Sequence, residues 1–150
     1  MDKPTAEVQD SEKMQEEVEK RSNRILEMIK LEGKSTQSGA TLLPCSGYAP
    51  EEKTQRARHP WSIYDVPVED MEKAMDRMRT ALPKNGWKIV KDGPDESLAK
   101  TPTIIADSDD GKFSVKLRLM DERKHKETSL IAITVTSSCF QIAPKASATP

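Results

Sequence analysis

Apolar residues recur in the first quarter of the chain at Met14, Val18, Ile25, Leu26 and Ile29, a narrow stripe at helical spacing. The stripe predicts one long helix over residues 5–32, with Thr5 as its N-cap and Gly33 just beyond its end. Glu16 with Lys20 and Glu17 with Arg21 add i,i+4 pairs with the acid first, the better orientation. The first half of this helix is almost wholly polar, so it is expected to fray or to project into water. The second half, from Val18 to Leu31, has enough apolar surface to dock on a core. Residues 33–60 carry Gly33, Ser35, Ser38, Gly39, Pro44, Ser46, Gly47 and Pro50 and read as a long loop, with 41–44 as a brief extended contact.

The pattern then sharpens. Residues 61–66 alternate large side chains and predict a strand. Pro67 suits an early helical position, and Met71, Ala74, Met75, Met78, Ala81 and Leu82 follow at the spacing of an amphipathic helix. Pro83 and Asn85-Gly86 close it. Strands are expected at 87–90 and 103–106, the first closed by a turn at 92–95. Another strand runs from Phe113 to Leu119, where apolar residues alternate with Ser114, Lys116 and Arg118. Residues 121–128 form a charged loop, and 129–140 the last strand. The order of elements is α-β-α-β-β-β-β. Short turns between the later strands make the sheet largely antiparallel, with about five strands and the helices on one face, an α+β two-layer sandwich. Residues 14–141 read as a single domain, 1–13 as the mobile start of the helix, and 142–150 as a disordered tail.

Charge removes some function classes. Lys plus Arg is 24 and Asp plus Glu is 25, so no general attraction to nucleic acid or to an anionic membrane surface is expected. No run approaches the length of a membrane-spanning helix.

The two cysteines, Cys45 and Cys139, lie far apart with no paired spacing and no nearby histidine, which argues against zinc. Two readings remain, buried free thiols or one disulfide. The disulfide is favoured, because Cys45 sits in a Gly/Ser/Pro-rich segment with little apolar material to hold it, while Cys139 ends the last strand. A disulfide places the domain in an oxidising compartment. Met1-Asp2-Lys3-Pro4 is not a secretory signal, since no apolar stretch follows. Either the protein is cytosolic, or the chain begins after a removed signal, Met1 standing where a processed, lipid-bearing cysteine stood. The second reading is preferred.

Candidate chemistry is sparse. Asp107 to Gly111 fails the register of a calcium loop, because Gly111 falls one position early. No phosphate-binding or nucleophile-elbow motif is present. His59 serves as a general base only if a nucleophile approaches it in space, and it reads better as a loop histidine packed beside Trp61. Arg123, Lys124, His125 and Lys126 form a basic loop cluster, which suits an anionic partner or simply a solvated tip. Neither a cofactor nor a metal is expected. Trp61 and Trp87 each begin a strand and read as core.

Cys45-Ser46, the strand Trp61 to Tyr64, the exit Asn85-Gly86-Trp87 and the ending Ser138-Cys139-Phe140 together resemble small secreted lipoproteins of actinobacteria, over residues 14–141. The resemblance implies a lipid-anchored, disulfide-bonded extracytoplasmic domain without catalytic residues. The chain departs from that group in lacking a lipobox. The expectation is therefore a non-enzymatic, monomeric domain that binds a protein or envelope component, touching a membrane only through a lipid anchor and taking no nucleic acid. The alternative is a small-ligand carrier or sensor with a pocket between helices and sheet. A hydrolase built around His59 stands third.

Overall fold

The computed structural model describes residues 6–36 and 38–143. The polar residues before the first helix do not extend it. Glu7–Gln9 form a short strand, β1, and the helix α1 spans Ser11–Ile29. Asp10, rather than Thr5, caps it, its carboxylate accepting the Lys13 amide at 3.1 Å. Thr5 itself lies outside the described residues. Docking starts in the first turns, since Met14 and Val18 are buried along with Ser22, Ile25 and Ile29. The helix ends on Lys30 in the left-handed conformation, at φ 53°. Gly33 has a different duty: a Cβ there would lie 2.3 Å from Val66 Cγ2 and 2.6 Å from the Tyr64 carbonyl oxygen.

The segment expected to be a loop, residues 33–60, is mostly sheet. It contains β2 (Lys34–Ser35), β3 (Thr41–Pro44) and the first half of β4 (Thr54–Tyr64), with a short 3-10 turn at Pro50–Glu52. The inward positions of β4 start with Ala57 and His59, which carry no strong alternation, and Pro60 reads as a breaker. Pro60 is tolerated because of the side it faces. The Ser62 amide points to Thr36 Oγ1 at 2.9 Å, so position 60, two residues earlier, points its nitrogen into the gap between β2 and β3.

The second helix, α2 (Val68–Lys84), matches its apolar stripe: Met71, Ala74, Met75, Met78 and Leu82 are buried. Pro67 precedes it as the N-cap, and Pro83 fits inside its last turn. Gly86, at φ +86°, then reverses the chain into β5. β5 (Trp87–Pro94), β6 (Pro102–Ser108), β7 (Phe113–Met120) and β8 (Leu130–Ser137) form an antiparallel meander. β5 runs on to Pro94, past the expected turn at 92–95, and the reversal falls at 95–101. The last predicted strand is divided at Ser138-Cys139, after which β9 (Phe140–Ile142) begins.

The sheet has nine strands, not about five, in the order β1-β9-β4-β8-β7-β6-β5, with β2 and β3 also paired to β4. The additional strands are two to four residues long, too short to show a period. All pairings are antiparallel except that of β1 with β9. Both helices join one buried cluster with alternate residues of the long strands, among them Trp61, Ile63, Val115, Leu117, Ile131 and Ile133. The intervening residues of those strands turn to the opposite face. Ile142, assigned from sequence to the tail, is in β9, while residues 144–150 lie outside the described residues.

Cys45, directly after β3, and Cys139, directly before β9, form a disulfide with Cα atoms 6.3 Å apart and 94 residues of sequence separation. Cys45 is not held by the crosslink alone, because its amide also donates to the Thr54 carbonyl at 2.9 Å, closing the β3–β4 hairpin.

Candidate functional site

The largest concavity described is an open cleft of about 1010 Å³ at one end of the helix and sheet elements. Its floor is Met75 of α2 and Leu119 of β7, both members of the core cluster. Three segments wall it. One face of α2 supplies Glu72, Asp76 and Arg79, the β5–β6 loop supplies Leu98 and Ala99, and the β7–β8 loop supplies Asp121, Arg123, Lys124 and His125.

The β5–β6 loop is built around Asp95. Its carboxylate accepts the Ser97 hydroxyl, the Ser97 amide at 3.0 Å, the Thr101 amide at 3.1 Å and Arg118 Nη2 at 2.9 Å. The Ser97 hydroxyl is the main reason that its pKa falls to about 2, with the Ser97 amide, Arg118 and the Thr101 amide acting in the same sense against desolvation. A loop tied this way holds Leu98 at its tip fully exposed, which an apolar side chain does not gain from unless something covers it.

The β7–β8 loop is fixed by Arg123. Its Nε and Nη2 take both oxygens of Asp121, at 2.8 and 2.6 Å, and its Nη1 reaches Glu69 of α2 at 3.5 Å. The fork on Asp121 lowers that carboxyl and raises the guanidinium. Arg79 does the same work on the opposite wall, bonding Asp76 and both oxygens of Asp92 of β5. The two arginines of the cleft and their carboxylate partners therefore neutralise one another. Among the described residues Glu72, Lys124 and His125 form no ion pair, and they stand on opposite walls.

The basic cluster expected from sequence is thus divided. Arg123 is a structural brace, Lys124 and His125 line the cleft, and Lys126 adopts a left-handed conformation (φ 53°) as the C-cap of the turn Arg123–His125, outside the cleft lining. Sequence reading missed Glu72, Met75, Asp76, Arg79, Leu98 and Leu119 as cleft residues. Leu98 alone carried a signal, as the one large apolar residue in the segment 95–100.

His59 is on strand β4, not in a loop, and it does not line this cleft. It does meet a hydroxyl: Nδ1 is 2.6 Å from Ser22 Oγ of α1, and Nε2 is 2.6 Å from the Ser38 carbonyl oxygen. Nε2–H must donate to that carbonyl, so in the neutral ring Nδ1 accepts from Ser22. The pair is 2% and 8% exposed, and the void beside it is about 10 Å³, room for a water and not for an acyl group. Its role in this geometry is to tie α1, β4 and residue 38 together. The same void is the space between helix and sheet at that point, and it is far smaller than the pocket a carrier would need there. Trp61 and Trp87 are buried core residues as expected.

No helix among the described residues is long and apolar enough to cross a membrane. Among the described residues, no group of three or more His, Cys, Asp or Glu side chains is placed to hold a metal ion. Compared with protein-family models, curated proteins and solved structures, the chain matches none.

Proposed function

We propose that this chain is a non-enzymatic extracytoplasmic binding domain, the soluble part of a lipoprotein, that takes a segment of a protein partner in the cleft between α2 and the loops 95–101 and 121–129. Its two helices and its sheet form two layers, and the cleft opens at their common end. The observation that carries the reading is the exposed Leu98 beside an apolar floor, Met75 and Leu119, inside a rim where Arg79 and Arg123 are paired and Glu72, Lys124 and His125 are left for a partner. The paired groups of the rim lose little when covered, the unpaired Glu72 and Lys124 call for opposite charges on the partner, and the apolar floor gains from burial. The disulfide supports the compartment half of the reading.

Selection of a random peptide library against the purified oxidised domain tests it. Selected peptides should bind the parent, and Leu98→Asp should weaken them roughly ten- to hundred-fold, the worth of burying one leucine side chain. Leu98 is fully exposed, so this variant should fold normally. Peptides that bind parent and variant equally, or a library that yields no binder, would defeat the cleft as the binding site. Recovery of the native protein with free thiols would defeat the compartment.

A further inference from the structure

We propose that the sheet face turned away from the helices binds an anionic polysaccharide, at a site separate from the cleft. The cross-strand register puts Arg58 of β4, Thr136 of β8 and Ser114 of β7 in one row, and Pro60, Thr134 and Lys116 in the next. Arg56, two residues before Arg58, continues the same face, and Lys112 stands at its rim in the β6–β7 turn. These four cations border one shallow groove of about 550 Å³, in which Asp107 is the only acidic residue.

None of the four cations forms an ion pair among the described residues; elsewhere Arg21, Arg79, Arg118 and Arg123 are paired, while Arg24 and Arg77 are not, so what sets the groove apart is four unpaired cations bordering one concavity. In a chain whose charges otherwise balance, this is a local excess of positive charge left without a partner. The hydroxyls of Ser114, Thr134 and Thr136 lie between the cations and make no hydrogen bond within the described chain. From strand geometry, Arg56 and Arg58 are spaced by about 7 Å along β4, and Arg58 and Lys116, two strands and one row apart, by about 12 Å on the diagonal. A linear polyanion with a charge on each or every second sugar can meet that spacing.

The composition of the groove selects the occupant. Nucleic acid bound on a sheet face stacks its bases on exposed aromatic rings. The one aromatic residue of this groove, Phe113, is buried and covered by the Arg21 guanidinium at 3.6 Å. A bilayer surface rewards inserted apolar side chains, and none of the exposed large hydrophobic residues, Val8, Val90, Leu98 and Ile142, borders the groove. An acidic peptide would bring apolar side chains for which the groove offers only the half-buried Ile105. An acidic glycan brings charge and hydroxyls alone, which is what cations interleaved with Ser and Thr can satisfy.

The test is fluorescence anisotropy of labelled dextran sulfate and labelled polygalacturonate with the oxidised full chain, at low and at physiological salt. Three comparators run beside them: neutral dextran, single-stranded DNA, and vesicles of phosphatidylglycerol and phosphatidylcholine in equal parts. Both acidic glycans should bind, neutral dextran should not, and Arg58→Gln with Lys116→Gln should weaken binding about ten-fold. Lys73→Gln with Lys84→Gln removes the same charge from exposed positions of α2 and should change binding by less than about two-fold. Equal loss in the two double variants would show diffuse attraction and overturn the site. Tighter binding of DNA or vesicles than of the glycans, with the same Arg58 and Lys116 dependence, would overturn the occupant. Failure of both glycans to bind the parent would overturn the proposal outright. Leu98→Asp should leave glycan binding unchanged, so failure of the cleft reading and failure of this one are distinguishable.

Discussion

Replacing both cysteines, Cys45→Ser with Cys139→Ser, removes a constraint that acts chiefly on the unfolded chain. The two residues are separated by 94 positions, and in the chain-entropy model a closed loop of about that length lowers the entropy of the unfolded state by about 4.7 kcal/mol of stability at room temperature. The folded state should change little, because the flanking backbone is held by other means. Pro44 pairs with Gln55, the Cys45 amide bonds the Thr54 carbonyl, and Phe140 pairs with both Gln55 and Glu7. For a domain of this size each kcal/mol corresponds to roughly 2–4 °C in Tm, so a fall of roughly 10–20 °C is expected. Urea unfolding of the oxidised parent, the reduced parent and the double serine variant, followed by far-UV circular dichroism, measures it. The last two should coincide, and both should show a steeper urea dependence than the oxidised parent, whose unfolded chain stays more compact. A loss below about 1.5 kcal/mol would refute the reasoning, since it would mean that the reduced unfolded chain is already as restricted as the crosslinked one.

The acid limb of stability is a second expectation. The Asp95 carboxyl, held down to about 2 from 3.8 chiefly by the Ser97 hydroxyl, contributes stability that is complete above about pH 4 and disappears as the pH falls through its folded-state value. The Tm difference between the parent and Asp95→Asn should therefore be constant above about pH 4 and shrink between about pH 4 and pH 2; a difference that persists unchanged to the lowest pH would exclude the carboxylate as its source. Gly33→Ala should cost about 1–3 kcal/mol by urea unfolding, because its Cβ would press on the Tyr64 carbonyl and on Val66. Gly39→Ala, whose Cβ meets only Glu19 Oε1 at 3.6 Å, should be close to neutral, and equal effects at the two positions would contradict the close approach at Gly33.

What could be read from the sequence divides along burial. α2 and β7 were legible because each turns a regular apolar side to the core: the methionine stripe at 71, 75 and 78, and the alternation of Phe113, Val115, Leu117 and Leu119. β4 was half legible, from Trp61 onward, because its earlier inward positions are Ala57 and His59. His59 satisfies its ring nitrogens through Ser22 and Ser38, partners that only the folded chain brings together. The short strands β1, β2 and β9 are added by pairing with strands already in place, so their own residues carry no pattern. The start of α1 was legible in principle, since Asp10-Ser11 precedes the stripe, but the polar run ahead of it imitates an extended helix. The cleft was not legible, because three segments distant in sequence meet there and its ionic residues pair across segments, as Arg123 does with Glu69. The disulfide was inferred correctly, although the hairpin that also holds Cys45 was not foreseen.

The parallel partnership of β1 and β9 sets how the molecule carries tension. Glu7 lies opposite Phe140 and Gln9 opposite Ile142, so a pull on the chain ahead of residue 7 and a pull on the chain beyond residue 142 drag the two strands in opposite directions. Their rungs are sheared together instead of being unzipped one at a time. If those rungs give way, the strain arriving through residues 140–143 reaches Cys139, crosses to Cys45 and continues toward α1. The chain between the two sulfur atoms, with β4, α2 and the whole meander, is short-circuited, and stretching is confined to the two ends.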